Sequence, residues 1–121
     1  MPNSSSAPFS YENLDKIIHE RARLAILTSL SAHDSAMKFA DLKNSCGLSD
    51  GNLSRHLQVL QEAGLVEIDK YFDKLRPVTT CKMTSEGQQR FLDYINILEQ
   101  IIRDAALARE TIPKSLKPAP T

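Results

Sequence analysis

The residues best equipped for chemistry in this chain lie in "SDGNLSRHLQVLQEAGLVEI", residues 49–68. On a helical wheel at ~100° per residue, Leu53, Leu57 and Leu60 fall in one narrow sector, as a buried stripe requires. Gly51, Ser54, Arg55 and Gln58 fall on the opposite side, Asn52 and His56 lie toward one flank, and Ser49 and Asp50 open the helix. Arg can donate two bonds to guanine O6 and N7, Asn or Gln can pair with adenine, and Ser reaches bases or phosphates. Gly51 leaves no side chain at the point of closest approach. A helix N-terminus adds free N–H groups and partial positive charge, which suit a phosphate. Such a face fits the DNA major groove. Taken alone, it is also what a solvated amphipathic helix presents, so its neighbours must decide.

The elements that hold this face are legible from apolar spacing. "NLDKIIHERARLAILTSL" carries Leu14, Ile17, Ile18, Leu24, Ile26, Leu27 and Leu30 at mostly three- and four-residue intervals, which predicts a first helix. "MKFADLKNSC" predicts a short second helix with Phe39, Leu42 and Cys46 inward, ended by Gly47. Ser49 is a good N-cap for the third helix, which should run to about Ala63 and stop at Gly64. "LVEIDKYF" and "PVTTCKM" alternate like two strands joined by "DKL" and Arg76, with Pro77 at the start of the second strand or on an edge. Thr84 should cap a last helix running to Ala108. Lys70, Lys74 and Arg76 surround the hairpin tip against Asp69 and Asp73, so the hairpin could lie along a sugar-phosphate backbone. It could equally be an edge protected by lysine.

Bulk composition limits the options. The 121 residues suffice for one domain. The content is 41% hydrophobic and 25% charged, as in an ordinary folded protein. Lys plus Arg equals Asp plus Glu at 15 each, so net charge makes no case for nucleic acid; only charge placement can. No apolar run approaches about 18 residues, so no membrane partner is expected. "MPNSSSAPFSY" does not read as a signal peptide, and Cys46 and Cys81 read as reduced core thiols, which together point to the cytoplasm. Residues 1–12 read as a flexible arm, 13–109 as the domain and 110–121 as a flexible tail; Phe9 and Tyr11 are the arm residues fit to dock.

"GLSDGNLSRHLQVLQEAGLVEI", followed by "RPVTTCKMTSEGQQRF", resembles the small prokaryotic winged-helix transcription regulators close to the ArsR and MarR groups. The spacing from Gly47 through Leu53-Ser54-x-His56-Leu57 to "EAGLV" carries the likeness, as does the Arg-Pro-x-Thr-Thr strand leading into Thr-x-Glu-Gly. The resemblance covers roughly residues 14–95. It implies a mainly α (α+β) winged helix-turn-helix with a small β-hairpin and a long C-terminal dimerisation helix, 84–108. It further implies a sequence-specific double-stranded DNA-binding homodimer that regulates transcription, most simply as a repressor. Carried over by position, 49–63 is the recognition helix and Lys70 to Arg76 the wing, with Ser35 or Lys38 as further phosphate contacts. The neutral charge and Asp50 depart from the pattern. They favour, as the alternative, a winged-helix protein-interaction module without DNA binding.

In the last helix Phe91, Ile95, Leu98, Ile102 and Ala105 recur at intervals of four, three, four and three, widened by Leu92 and Ile101. That is a helix-packing seam. From Ser85 to Ala108 it would be ~36 Å long, more than one small domain covers, so a two-fold copy is expected on one side and the first helix on the other. Two recognition helices would then address a roughly palindromic operator, half-sites about 34 Å apart. Apolar excess on the first and last helices leaves room for a small-molecule effector. His19, His33 and His56 show no ligand spacing and no Cys-x-Cys occurs, so neither metal nor cofactor is expected; His56 reads as a flank residue on phosphate or as a packed histidine. No Gly-rich phosphate loop, nucleophile elbow or carboxylate pair points to an enzyme.

Overall fold

The computed structural model describes residues 7–111. Its elements are α1 (Arg21–Ser31), β1 (Met37–Lys38), α2 (Phe39–Cys46), α3 (Asp50–Glu62), β2 (Val66–Asp73), β3 (Arg76–Met83) and α4 (Ser85–Thr111). The three strands form one antiparallel sheet in the order β1-β3-β2. Helices and sheet close on a single core containing Ile18, Ile26, Leu27, Leu42, Leu53, Leu57, Leu60, Leu65, Cys81 and Tyr94. Each fully buried aliphatic side chain contributes about 1.5–3 kcal/mol relative to exposure, so this cluster dominates the stability.

The first helix starts at Arg21, seven residues later than Leu14, where the apolar spacing begins. The cause is local hydrogen bonding. Asp15 Oδ1 accepts from the backbone N–H groups of Ile17 and Ile18 at 3.0 and 3.3 Å, offering the chain an alternative to helix. Glu20 then takes an extended conformation and caps α1, its Oε1 accepting from Arg23 N at 2.8 Å. Ile18 still reaches the core, and Arg23 Nε donates to Ile17 O at 2.6 Å. Residues 11–20 thus form a strap tied to α4 at three places. Tyr11 Oη donates to Asp104 Oδ2 at 2.6 Å, Arg90 Nη2 donates to Asp15 Oδ2 at 2.9 Å, and His19 Nδ1 lies 2.8 Å from Tyr94 Oη.

Two further departures concern the sheet. A third strand, β1, pairs Met37 with Cys81 and Lys38 with Thr80. Two residues are too few to show alternation in the sequence. The β2–β3 turn is the pair Lys74-Leu75 alone, since Asp73 already opposes Arg76. Both turn residues have positive φ, 51° and 70°, the conformation of a type I′ hairpin that Asn-Gly usually supplies. For non-glycine residues it costs about 1–2 kcal/mol each. Pro77 sits just inside β3, where β1 does not reach, so its missing N–H deprives the sheet of no bond.

The caps fall where the residue types put them. Gly47 closes α2 with φ 65°, and Ser49 Oγ accepts from Asn52 N at 3.2 Å to open α3. Thr84 Oγ1 accepts from Gly87 N at 2.9 Å at the start of α4 and donates to Gly64 O at 2.7 Å, joining the two helix junctions. The helix expected to end at Ala108 continues to Thr111. The rest of the expected tail, and residues 1–6 of the arm, lie outside the described residues.

Gly87 and Gly51 should respond oppositely to alanine. A Cβ on Gly87 would stand 2.1 Å from the Leu65 carbonyl oxygen, a backbone clash, whereas one on Gly51 meets nothing within 4 Å. Urea unfolding is expected to show Gly87→Ala losing about 1–3 kcal/mol and Gly51→Ala gaining about 0.5–1 kcal/mol.

Candidate nucleic-acid interface

Helix α3 is held by Leu53, Leu57 and Leu60, all buried, which leaves Gly51, Asn52, Ser54, Arg55 and Gln58 exposed on the far side. Ser49 and Asp50 are exposed at its start. The long polar side chains are already arranged by short-range bonds. Arg55 Nη2 donates to Asn52 Oδ1 at 3.0 Å, and Gln58 Nε2 donates to Glu62 Oε2 at 3.2 Å. Asp50 does not stand as a bare negative charge: Lys43 Nζ from α2 lies 3.0 Å from its Oδ1. Both groups are solvated, so the pair is worth at most about 1 kcal/mol; its effect is on local charge, not stability.

The hairpin completes this surface through strand alternation. Val66, Ile68, Lys70 and Phe72 share one face with Met83, Cys81, Thr79 and Pro77; Glu67, Asp69, Tyr71 and Asp73 share the other with Lys82, Thr80, Val78 and Arg76. Lys70 is therefore separated from the acids that flank it in sequence. It lines, with Thr79, Ser54, Gln58 and Glu62 over Phe39, a cleft of about 540 Å³ between wing and α3. The structure so brings together Ser54, Gln58 and Lys70. Arg76 lies elsewhere, in a hollow of about 570 Å³ with Lys38 and Asp73. Lys74 is at the turn, and Ser35 opens onto a third cleft with Lys82 and Thr84.

This arrangement of helix, turn, helix and three-stranded wing has known counterparts. The sequence model of the winged helix DNA-binding domain matches residues 22–102. An uncharacterized protein of Methanocaldococcus jannaschii is 36% identical over 89 residues, spanning 74% of this chain and 96% of that protein. The chain belongs to the winged helix DNA-binding domain family. Among solved structures, the transcriptional regulator homologue of Pyrococcus horikoshii is 27% identical with a TM-score of 0.69, covering 74% of this chain and 87% of the other. A MarR-family transcriptional regulator of Enterococcus faecalis shares the fold at 17% identity, TM-score 0.65, over 93% of this chain and 96% of its own. Both solved counterparts are transcriptional regulators by name.

Within this winged-helix domain, His56 takes the packed place of the two open to it and leaves the groove-facing flank. Its side chain is only 13% exposed and turned toward the start of α1. Nδ1 lies 3.2 Å from Arg23 Nη1 and 3.9 Å from Glu20 Oε1. The wheel put His56 near the polar arc; tertiary packing recruits it as a link between α3 and α1. Arg23 and Glu20, distant in sequence, carried no signal for this role. At the C-terminal end of α3, Arg90 Nη1 donates to Ala63 O at 3.4 Å.

The winged-helix domain's last helix divides along its length. Phe91 is 8% exposed and, with Tyr94, belongs to the domain's core; Ile95 and Leu98 are partly buried beside them. Phe91 thus offers little surface to another chain. Ile102 is 67% exposed, and Leu92, Ala105 and Leu107 are also open. The strap, rather than a full first helix, lies alongside. Among the described residues no three His, Cys, Asp or Glu side chains are grouped to hold a metal ion, and no helix is long and apolar enough to cross a membrane. Cys81 is buried between strands, and its thiol is pushed up to about 12, far from a reactive thiolate.

Glu20 gives this assembly a pH signature. The Arg23 amide bonded to its carboxylate holds it below the ordinary value of 4.5; partial burial opposes this, and His56 and the Arg23 side chain assist. Because the folded value is the lower one, the stabilisation is complete above 4.5 and is lost as pH falls through the folded value. Glu20→Gln should cost at most about 1 kcal/mol near neutrality, the side chain being 35% exposed. In urea titrations the gap between wild type and variant should close as the pH is lowered below 4.5.

Proposed function

We propose that the chain is a sequence-specific double-stranded DNA-binding transcription regulator. It acts as a homodimer, with α3 in the major groove and the wing on the adjoining backbone, and represses by occupying its operator. One observation carries this reading: the exposed Asn52, Ser54, Arg55 and Gln58 stand opposite the buried leucines, and Lys70 shares a cleft with two of them. Bases are addressed by donors and acceptors on α3, and phosphates by Lys70, Lys74 and Arg76, with Lys38 beside Arg76. Ser49, Asp50 and Gly51 open the helix where backbone N–H groups meet a phosphate. The Arg55–Asn52 bond limits the side-chain freedom that Arg55 must surrender on binding.

The bare part of α4 supports the homodimer. Ile102 and Leu107 lie open beyond the reach of the domain's own core, where a two-fold copy would cover them. Ile95, Leu98 and Ala105 extend the same seam. Two linked half-site contacts then compensate for a module without net positive charge. An effector would fit the cleft of about 620 Å³ where Leu30 of α1 faces Phe91 and Leu92 of α4. The Lys43–Asp50 pair, which neutralises the start of α3, favours the second reading, a docking module for protein.

Binding to fragments selected from random DNA should weaken steeply with salt, log K falling by about 0.9 per phosphate neutralised for each unit of log salt. Arg55→Ala should lose about 1–3 kcal/mol of discrimination at one position of the site. Lys70→Ala should instead weaken all sequences alike and reduce the salt slope by about 1. Affinity indifferent to salt would exclude the phosphate contacts and leave the protein-docking reading. Ile102→Asp should yield monomers by sedimentation and lose palindromic sites.

A further inference from the structure

Of the titratable side chains on α3, Asp50, Arg55 and Glu62 are exposed and His56 alone turns inward. Its Nδ1 faces two groups of opposite charge, Arg23 Nη1 at 3.2 Å and Glu20 Oε1 at 3.9 Å. A guanidinium only donates, so the Arg23 contact is a hydrogen bond only while Nδ1 carries no proton. At its longer distance the carboxylate is not a hydrogen-bond partner. This is the geometry of a neutral ring with its proton on Nε2.

Neither neighbour is free to adapt. Arg23 Nε donates to Ile17 O at 2.6 Å, which pins the guanidinium to the strap. Glu20 Oε1 accepts from Arg23 N at 2.8 Å and caps α1. These two are the charged groups that face the ring from α1 and its cap; Arg55, beside it on α3, is bonded away to Asn52. A proton on Nδ1 would set one N–H against another at Arg23 and place a cation under the attraction of Glu20. A charge-assisted bond forms at about 2.7–2.9 Å, so the ring would travel on the order of 1 Å toward the carboxylate. His56 lies between Arg55 and Leu57 and shares α3 with every side chain of the reading face. Binding groups need to be held to within about 0.5 Å of their productive positions. The displacement exceeds that tolerance.

The geometry points to neutral His56 as a positioning residue for the reading face: protonation transfers it from Arg23 to Glu20, shifts α3 and lowers the preference for the cognate site. Histidine changes charge between about pH 5 and 8, so the domain reads DNA near neutrality and releases its site as its surroundings acidify. This rests on the DNA-binding reading above and adds a regulation of the same surface.

The test follows two readouts on the full chain. In NMR titrations without DNA, the α3 amides from Asn52 to Gln58 should move with the His56 imidazole. They should stay still over the same interval in His56→Asn, whose Oδ1 takes the place of Nδ1, accepts from Arg23 and never titrates. In competition between a site selected from random DNA and a scrambled one, wild-type preference should fall roughly tenfold between about pH 8 and about pH 5. The ratio cancels the nonspecific attraction that any protonated histidine adds. His56→Asn should keep its preference throughout. Glu20→Gln retains a capping oxygen without the charge that draws the imidazolium, so it should carry the loss to lower pH; it decides the matter even if His56→Asn fails to fold. Amides of α3 indifferent to the ring, an equal loss of preference in His56→Asn, or a Glu20→Gln profile coincident with wild type would overturn the inference. Failure to enrich any site at any pH would instead remove the DNA-binding reading, while the amide titration still decides whether α3 follows His56.

Discussion

Three leucines govern the geometry on which the surface of this protein depends. Leu53, Leu57 and Leu60 enter one core with Ile26, Leu27 and Leu42, and their burial fixes how α3 is rotated about its own axis. Turning the helix by a single residue, ~100°, would carry a polar side chain into that core. For Arg55 this would mean an unpaired buried charge, which no gain elsewhere in so small a core could offset. The polar face therefore points outward because the apolar face has only one place to go. Helices α1 and α4 then hold α3, through Arg23 at His56 midway along it and through Arg90 at Ala63 just past its end.

What could be read from the sequence follows from this hierarchy. The leucine stripe, Gly47, Ser49 and Thr84 act within a few residues of themselves, so their types and spacings announce their roles. Features set by distant partners were not legible. Leu14 and Ile17 keep helical spacing, yet Asp15 and Glu20 divert the backbone by bonding to it, and only then does α1 begin. Strand β1 exists because Met37 finds Cys81 across the sheet, a pairing two residues cannot announce. With no glycine to mark the turn, the sequence points to three residues with Arg76 alongside, where the chain uses two. The sequence leaves His56 on a flank or packed, and only α1 in place decides for packing. Spacing alone assigns Phe91 to the seam and is silent on Tyr94, because periodicity identifies an apolar face without saying which neighbour covers it.

Charge illustrates the same point at another scale. Fifteen cations balanced by fifteen anions leave no net field. The fold nonetheless distributes them unevenly over short distances. Alternation along β2 sends Lys70 to one face and Asp69 and Asp73 to the other, and Lys43 neutralises Asp50 at the helix entrance. Interactions at that range act within a Debye length of about 8 Å, so a neutral molecule can still present a locally cationic surface.

The strap along α4 is attached by three polar links and by Ile18 in the core, with Leu14 and Ile17 packed against it. Its Tyr11 end can lift away without withdrawing Ile18 from the core, since local opening there gives up few apolar contacts. Tyr11 is its outermost clasp, and Asp104, the residue it grips, lies in the stretch of α4 that the domain does not otherwise support. Detachment of that one clasp would let the distal turns of the long helix fray while the wing and α3 stayed folded. The molecule thus contains a boundary between a rigid reading head and a stem whose order is negotiable.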